Sequence, residues 1–156
     1  MQRNSILATR LREVLLDGLW IANTNYKSQI TTISWQQAIQ KVGDLNSIAA
    51  LTFHINYYLD GLLRALKTGV LDIHDKLSFD MPPINSEDDW LNLRNYFLMN
   101  AEQFVQKIEA MDESLLEAPF INEKYGTYEK NINGAVEHCY YHLGQVVIIG
   151  KMTGNQ

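Results

Sequence analysis

The chain is poor in the residues that staple or interrupt a fold: one cysteine, three prolines and nine glycines among 156 residues. A lone Cys139 cannot close an internal disulfide, so the reading places the chain in a reducing cytoplasm. Sparse proline and glycine exclude a linker-rich or collagen-like chain and leave room for long helices. Cations are also few, 13 Lys and Arg against 18 Asp and Glu, and no basic cluster occurs. A nucleic-acid backbone needs clustered cations, so no nucleic acid is expected as a partner. Long apolar runs are missing. The strongest, Val146 to Ile149, falls far short of the roughly 20 residues that cross a bilayer. The N-terminus mixes Gln2, Arg3, Asn4, Arg10 and Arg12 with apolar residues and lacks the continuous core of a secretory signal. No membrane partner is expected either.

What is present suits one globular domain over residues 1–156. Apolar residues make up 46% of the chain, enough for a sizeable core. Their spacing is helical. Leu7, Leu11, Val14, Leu15 and Leu19 share one face of a first long helix from about Ser5 to Ile21. Ile30 to Ile33 is too short and polar to assign. Ser34 with Gln37 reads as a capping box opening a short helix, Trp35 to Val42, which Gly43 ends.

Asp44 or Asn46 can cap a second long helix reaching about Lys67, with the stripe Ile48, Leu51, Ile55, Leu59, Leu62 and Leu66. Gly69 stands where a C-terminal cap is expected. Val70 to Asn85, with Pro82-Pro83, reads as a long surface connection of the kind that often carries function. Ser86 with Asp89 caps a third long helix bearing Trp90, Leu93, Phe97, Ala101, Phe104, Ile108 and Met111. A short turn from Asp112 to Ala118 precedes Pro119. Tyr125-Gly126-Thr127 reads as a turn before a fourth long helix from about Glu129 to Met152. Ile132, Ala135, Val136, Cys139, Leu143, Val146, Val147 and Gly150 form its stripe. Four amphipathic helices of similar length bury their faces by packing together. The expected fold is an all-α four-helix bundle of the up-and-down type, with a long connection between its second and third helices.

Histidine carries the chemistry. His138 and His142 are four residues apart, which stacks them on one helix face with Cβ atoms about 5–6 Å apart. Both adjoin core positions, Cys139 and Leu143, and His54 lies in the apolar run Ala49 to Leu63. Buried imidazoles need partners, and one shared metal ion would serve all three. Depth along the helices agrees, at roughly 12 Å for His54 and 13–20 Å for the pair, if the second and fourth helices run parallel. His74, on the long connection, reads as an exposed loop histidine, with a fourth ligand the alternative. Cys139 points about 100° away from His138 around the helix and reads as a buried thiol rather than a nucleophile or ligand. His-Glu-x-x-His, Glu-x-x-His, a Gly-rich phosphate loop and Gly-x-Ser-x-Gly are all absent.

Two segments bear a family resemblance: Leu51-Thr52-Phe53-His54-Ile55-Asn56-Tyr57-Tyr58 and His138-Cys139-Tyr140-Tyr141-His142-Leu143-Gly144-Gln145. With the length and helix order, the chain resembles the DinB/YfiT-like superfamily of helical-bundle metalloenzymes over nearly its whole extent. The second segment is similar to that family's His-x-x-x-His-x-Gly-Gln signature. The resemblance implies a three-histidine site for a divalent metal at His54, His138 and His142, and a homodimer. It also implies, for some relatives, metal-dependent thiol transfer or hydrolysis. Leu143 departs from the arginine that members often carry after the last histidine, which removes one contact to an anionic substrate or a neighbouring chain.

Three neutral imidazoles leave a divalent ion with open positions, able to lower the pKa of a bound water to near 7 or to hold a thiol as thiolate. Zinc or nickel stands ahead of iron or copper, all of which imidazole suits. The expected substrate is a small molecule: a low-molecular-weight thiol with an electrophile, or an amide or ester. Gln145, three residues past His142, is a candidate for orienting a ligand or the water. Tyr58, one turn after His54, is the tyrosine best placed for the site, ahead of Tyr57 and Tyr141. Asp60 reads as solvated or as a supporting carboxylate. The alternative function is a non-catalytic binding or interaction module whose histidine site is structural or vacant.

Overall fold

The computed structural model describes residues 2–154. The chain is all-helical, with four long helices, α1 (Arg3–Leu15), α4 (Ile48–Thr68), α5 (Glu87–Glu109) and α6 (Tyr128–Thr153), and two short ones, α2 (Tyr26–Thr31) and α3 (Trp35–Ile39). Single 3₁₀ turns cover Asp75–Leu77, Glu113–Glu117 and Glu123–Tyr125. No helix is long and apolar enough to cross a membrane among the described residues.

Local chemistry sets the helix ends. Ser34, Ser47, Ser86 and Thr127 each accept a hydrogen bond from the backbone N–H three residues on, satisfying one orphan donor of the first turn. Ser47, rather than Asp44 or Asn46, therefore opens α4. At Ser34 the cap is one-sided: Gln37 turns its side chain away, to the Gly150 carbonyl and Thr153 Oγ1 of α6. Gly69 closes α4 in the left-handed conformation, φ +73°. Asn25 and Ser28 form a reciprocal capping box that starts α2, in a stretch whose apolar pattern was too short to read.

α1 ends at Leu15, six residues before the periodicity suggests. The chain doubles back at Gly18, where a Cβ would meet Glu13 Cα at 2.3 Å. Asn25 Nδ2 ties the Gly18 carbonyl, and Ala22 and Asn23 take positive φ. Leu19 consequently leaves the core and is 59% exposed, while Leu16 is buried in its place. α3 likewise stops at Ile39, short of Val42.

Side-chain pairs fix the helix directions. Arg3 and Asn4 at the head of α1 meet Glu113 and the Glu109 and Met111 carbonyls at the tail of α5, and Arg12 meets Glu102. Those two helices are antiparallel. Arg3 also pairs with Glu129, and Arg10 with Asn133, so α1 and α6 are parallel. Ile48 at the head of α4 lies against Gly150 near the tail of α6. Leu62 and Leu66 share a small hollow with Asn131 and Ile132 near its head. α4 and α6 are therefore antiparallel, and α4 and α5 parallel.

The long helices thus run up, down, down, up, which corrects the alternating arrangement expected from the sequence. It also accounts for the long connection. A parallel neighbour requires the chain to return the length of α4, 21 residues or about 32 Å. α1 and α4 each pack against both α5 and α6. The core they share includes Leu11, Val14, Leu15, Ile55, Leu59, Trp90, Phe97, Phe104, Ile108, Val136 and Val146, all essentially inaccessible.

Candidate metal centre

His54 comes from the second turn of α4, and His138 and His142 from the middle of α6. Because the two helices are antiparallel neighbours, the histidines meet across one seam, not at matching depths in parallel helices as the spacing argument had it. One ring nitrogen from each lies within 4.8 Å of the other two. His54 Nε2 and His138 Nε2 are 3.1 Å apart. Two imidazoles bound to one tetrahedral ion at 2.0–2.1 Å hold their nitrogens about 3.3 Å apart. The three rings stand nearly edge to face, with centroids 4.7–5.0 Å apart and planes at 74–77°. The His54 and His138 nitrogens are also within hydrogen-bond distance of one another, a contact that two neutral imidazoles make when no ion is bound.

His54 and His142 are buried, at 6% and 8% exposed, and His138 is partly exposed. Burial, reinforced by the neighbouring His142 and His138 rings, pushes His54 from 6.5 down to about 4. His138 is lowered by burial and by His142, against the pull of Asp75. Both are neutral imidazoles at pH 7, the form a metal needs. His142 Nδ1 donates to Gln145 Oε1 at 2.7 Å, which fixes the tautomer and leaves Nε2 with its lone pair. Gln145 thus orients the His142 ring. His54 Nδ1, the ring nitrogen turned away from His138, is buried, and the Ser78 backbone acts on this ring against the effect of burial.

The connection between α4 and α5 completes the surroundings. Phe79 stacks on His54, centroids 4.1 Å apart and planes 11° apart. Tyr58 turns its ring edge-on to both His54 and His138, at 5.1 Å each, and donates its hydroxyl to Asp75 Oδ1 at 2.8 Å. Two anchors hold this loop. Tyr57 Oη bonds both the N–H and the carbonyl of His74. Ile73 sits so close over Gly61 that a Cβ there would meet it at 2.5 Å.

The remaining candidates lie elsewhere. The His74 side chain is exposed and pairs with Asp72, outside the cluster. Asp60 accepts from Tyr96 and Arg64 on the other side of α4. Tyr141 is 66% exposed, its ring edge-on to His142. Cys139 is buried, its thiol pushed up to about 12, and is inert as a nucleophile or ligand. Phe79 and Asp75 were not legible in the sequence, because an aperiodic loop gives no facing rule. The length of the loop was the one available hint.

No family model, curated protein or solved structure matches this chain in comparison with known proteins.

Proposed function

We propose that the chain is a DinB/YfiT-like four-helix bundle that holds one divalent metal ion through His54, His138 and His142. We further propose that it acts on a small molecule in a thiol-transfer or hydrolytic reaction. The convergence of the three ring nitrogens within 4.8 Å, with two of the rings kept neutral by burial, carries this reading. Such an ion would supply Lewis acidity and a position for water or a thiol. Zinc and nickel suit the donor set best.

The chain's own residues do the rest. Gln145 holds His142 in the binding tautomer. Phe79 covers one face of His54 and limits water access from that side. Tyr58 positions the Asp75 carboxylate beside the cluster. A catalytic reading is favoured over a structural site by two observations. No fourth histidine, cysteine or carboxylate joins the group among the described residues. A cavity of about 630 Å³ also opens beside His138, within the usual range for a small-molecule site. A homodimer comes with the family resemblance, and the exposed Trp20, Ile148 and Met152 offer apolar surface for one.

Elemental analysis of the purified protein tests the foundation. The expected result is close to one equivalent of metal, lost in His54→Ala while the helical circular-dichroism signal stays. Wild-type protein without bound metal after zinc or nickel loading, or a variant that keeps its metal, overturns the proposal.

A further inference from the structure

The cavity beside His138 has a polarity of its own. At one end stand His138, Tyr58 and the Asp75 carboxylate. Its walls are apolar, from Ile55, Leu59 and Leu62 of α4, Leu71 and Ile73 of the connection, and Phe120. At the other end stand Tyr125, Asn131 and Lys130. Asn131 is occupied, donating to the Tyr125 and Thr127 carbonyls. Lys130 is in no ion pair among the described residues and is exposed at the mouth. Lys124 adds a second cation there, 4.8 Å over the Tyr125 ring. The acidic and basic groups thus sit at opposite ends of an apolar trough.

Gly134 adds no side chain to this space. It lines the cavity in the second turn of α6, is exposed, and a Cβ there would meet nothing within 4 Å. Glycine is disfavoured inside a helix relative to alanine, and no neighbouring backbone here requires it. The gap it leaves keeps the trough open between His138 and Lys130. Those two residues are eight positions apart on one helix, about 12 Å along the axis.

We infer that this trough binds the substrate, an elongated molecule with an apolar body and an anionic group. The anion lies at Lys130 and the reacting end at His138, about two helical turns away. Lys130 gives the anionic group a cation at the mouth, and the histidine cluster is left for the reacting end. This deepens the functional reading above and rests on it for the identity of the reacting end. The trough itself is tested independently of the metal.

The probes are 8-anilino-1-naphthalenesulfonate, an apolar anion, and N-phenyl-1-naphthylamine, the same body without the sulfonate. Their affinities are measured by fluorescence titration on metal-loaded protein, with metal content assayed in parallel. Gly134→Leu fills the trough and is expected to weaken both probes about tenfold. Gly144→Leu makes the same change at an exposed, equally open position of α6 and leaves both affinities unaltered. Lys130→Glu weakens the sulfonate about fivefold and leaves the neutral probe unaltered. All three variants keep the wild-type metal content.

Equal effects of Gly134→Leu and Gly144→Leu, or no effect of either, overturn the trough as the binding site. A Lys130→Glu variant that binds both probes as the wild type does overturns the anionic end. If Gly134→Leu loses its helical signal, the two Lys130→Glu affinities decide. Metal missing from wild-type protein, with the probe pattern intact, removes the functional reading and leaves the trough standing.

Discussion

The two seams that α6 and α5 make with their neighbours are built to opposite specifications. Between α1 and α5, Leu7, Leu11, Val14 and Leu15 lock against Phe97, Ala101, Phe104 and Ile108 with almost no accessible surface. Ion pairs such as Arg12 with Glu102 trim the rim. Each of the larger of these side chains contributes about 1.5–3 kcal/mol by leaving water. Between α4 and α6 the chain instead buries imidazoles and keeps about 630 Å³ unfilled. One seam is packed tightly, and the other gives up packing around a cluster of histidines.

The contrast can be broken from either side. Phe97→Ala, in the packed seam, should cost about 3–5 kcal/mol of unfolding free energy in denaturant titration while metal content in the surviving native protein stays unchanged. Gln145→Ala, in the open seam, should do the reverse. Metal affinity falls about 10–100-fold by calorimetry, because His142 loses its tautomer lock, with little change in the denaturation midpoint. An equal loss of both properties in either variant would erase the distinction between the seams.

Acid should reach the open seam first, because its histidines begin to titrate above the carboxylate range that governs the Arg12–Glu102 pair. The unfolded chain takes up a proton at His54 near 6.5, and the folded chain only near 4. Folding stability is therefore fully present above 6.5 and falls as pH drops towards 4, with His138 acting in the same direction. Melting curves of metal-free protein across that window check the sign. His54→Leu should flatten the decline, because the most strongly shifted of these groups is gone.

Much of the helical content was legible beforehand, because its signals are local. Ser34, Ser86 and Gly69 mark helix ends through hydrogen bonds spanning a few residues, and the stripe Trp90, Phe97, Ala101, Phe104, Ile108 marks the buried face of α5. The extension of α1 to Ile21 failed at Gly18, where the turn is set by Glu13 and Asn25 rather than by periodicity. Leu19 matched the pattern and is nonetheless exposed. For the site, the i,i+4 pair His138 and His142 followed from helix geometry. The meeting with His54 was expected for the wrong reason, a parallel pair of helices.

The amino-acid order determined that this chain forms long amphipathic helices, where most of them begin and end, and which histidines lie on apolar faces. These are consequences of bonds and contacts within a turn or two. Only the tertiary structure decided that α4 runs against α6 and alongside α5, that Phe79 and Asp75 from an aperiodic loop reach the histidines, and that Gly134 faces open space. Those outcomes depend on how distant surfaces dock and on the path of the connection between them, and neither is encoded in the spacing of neighbouring residues.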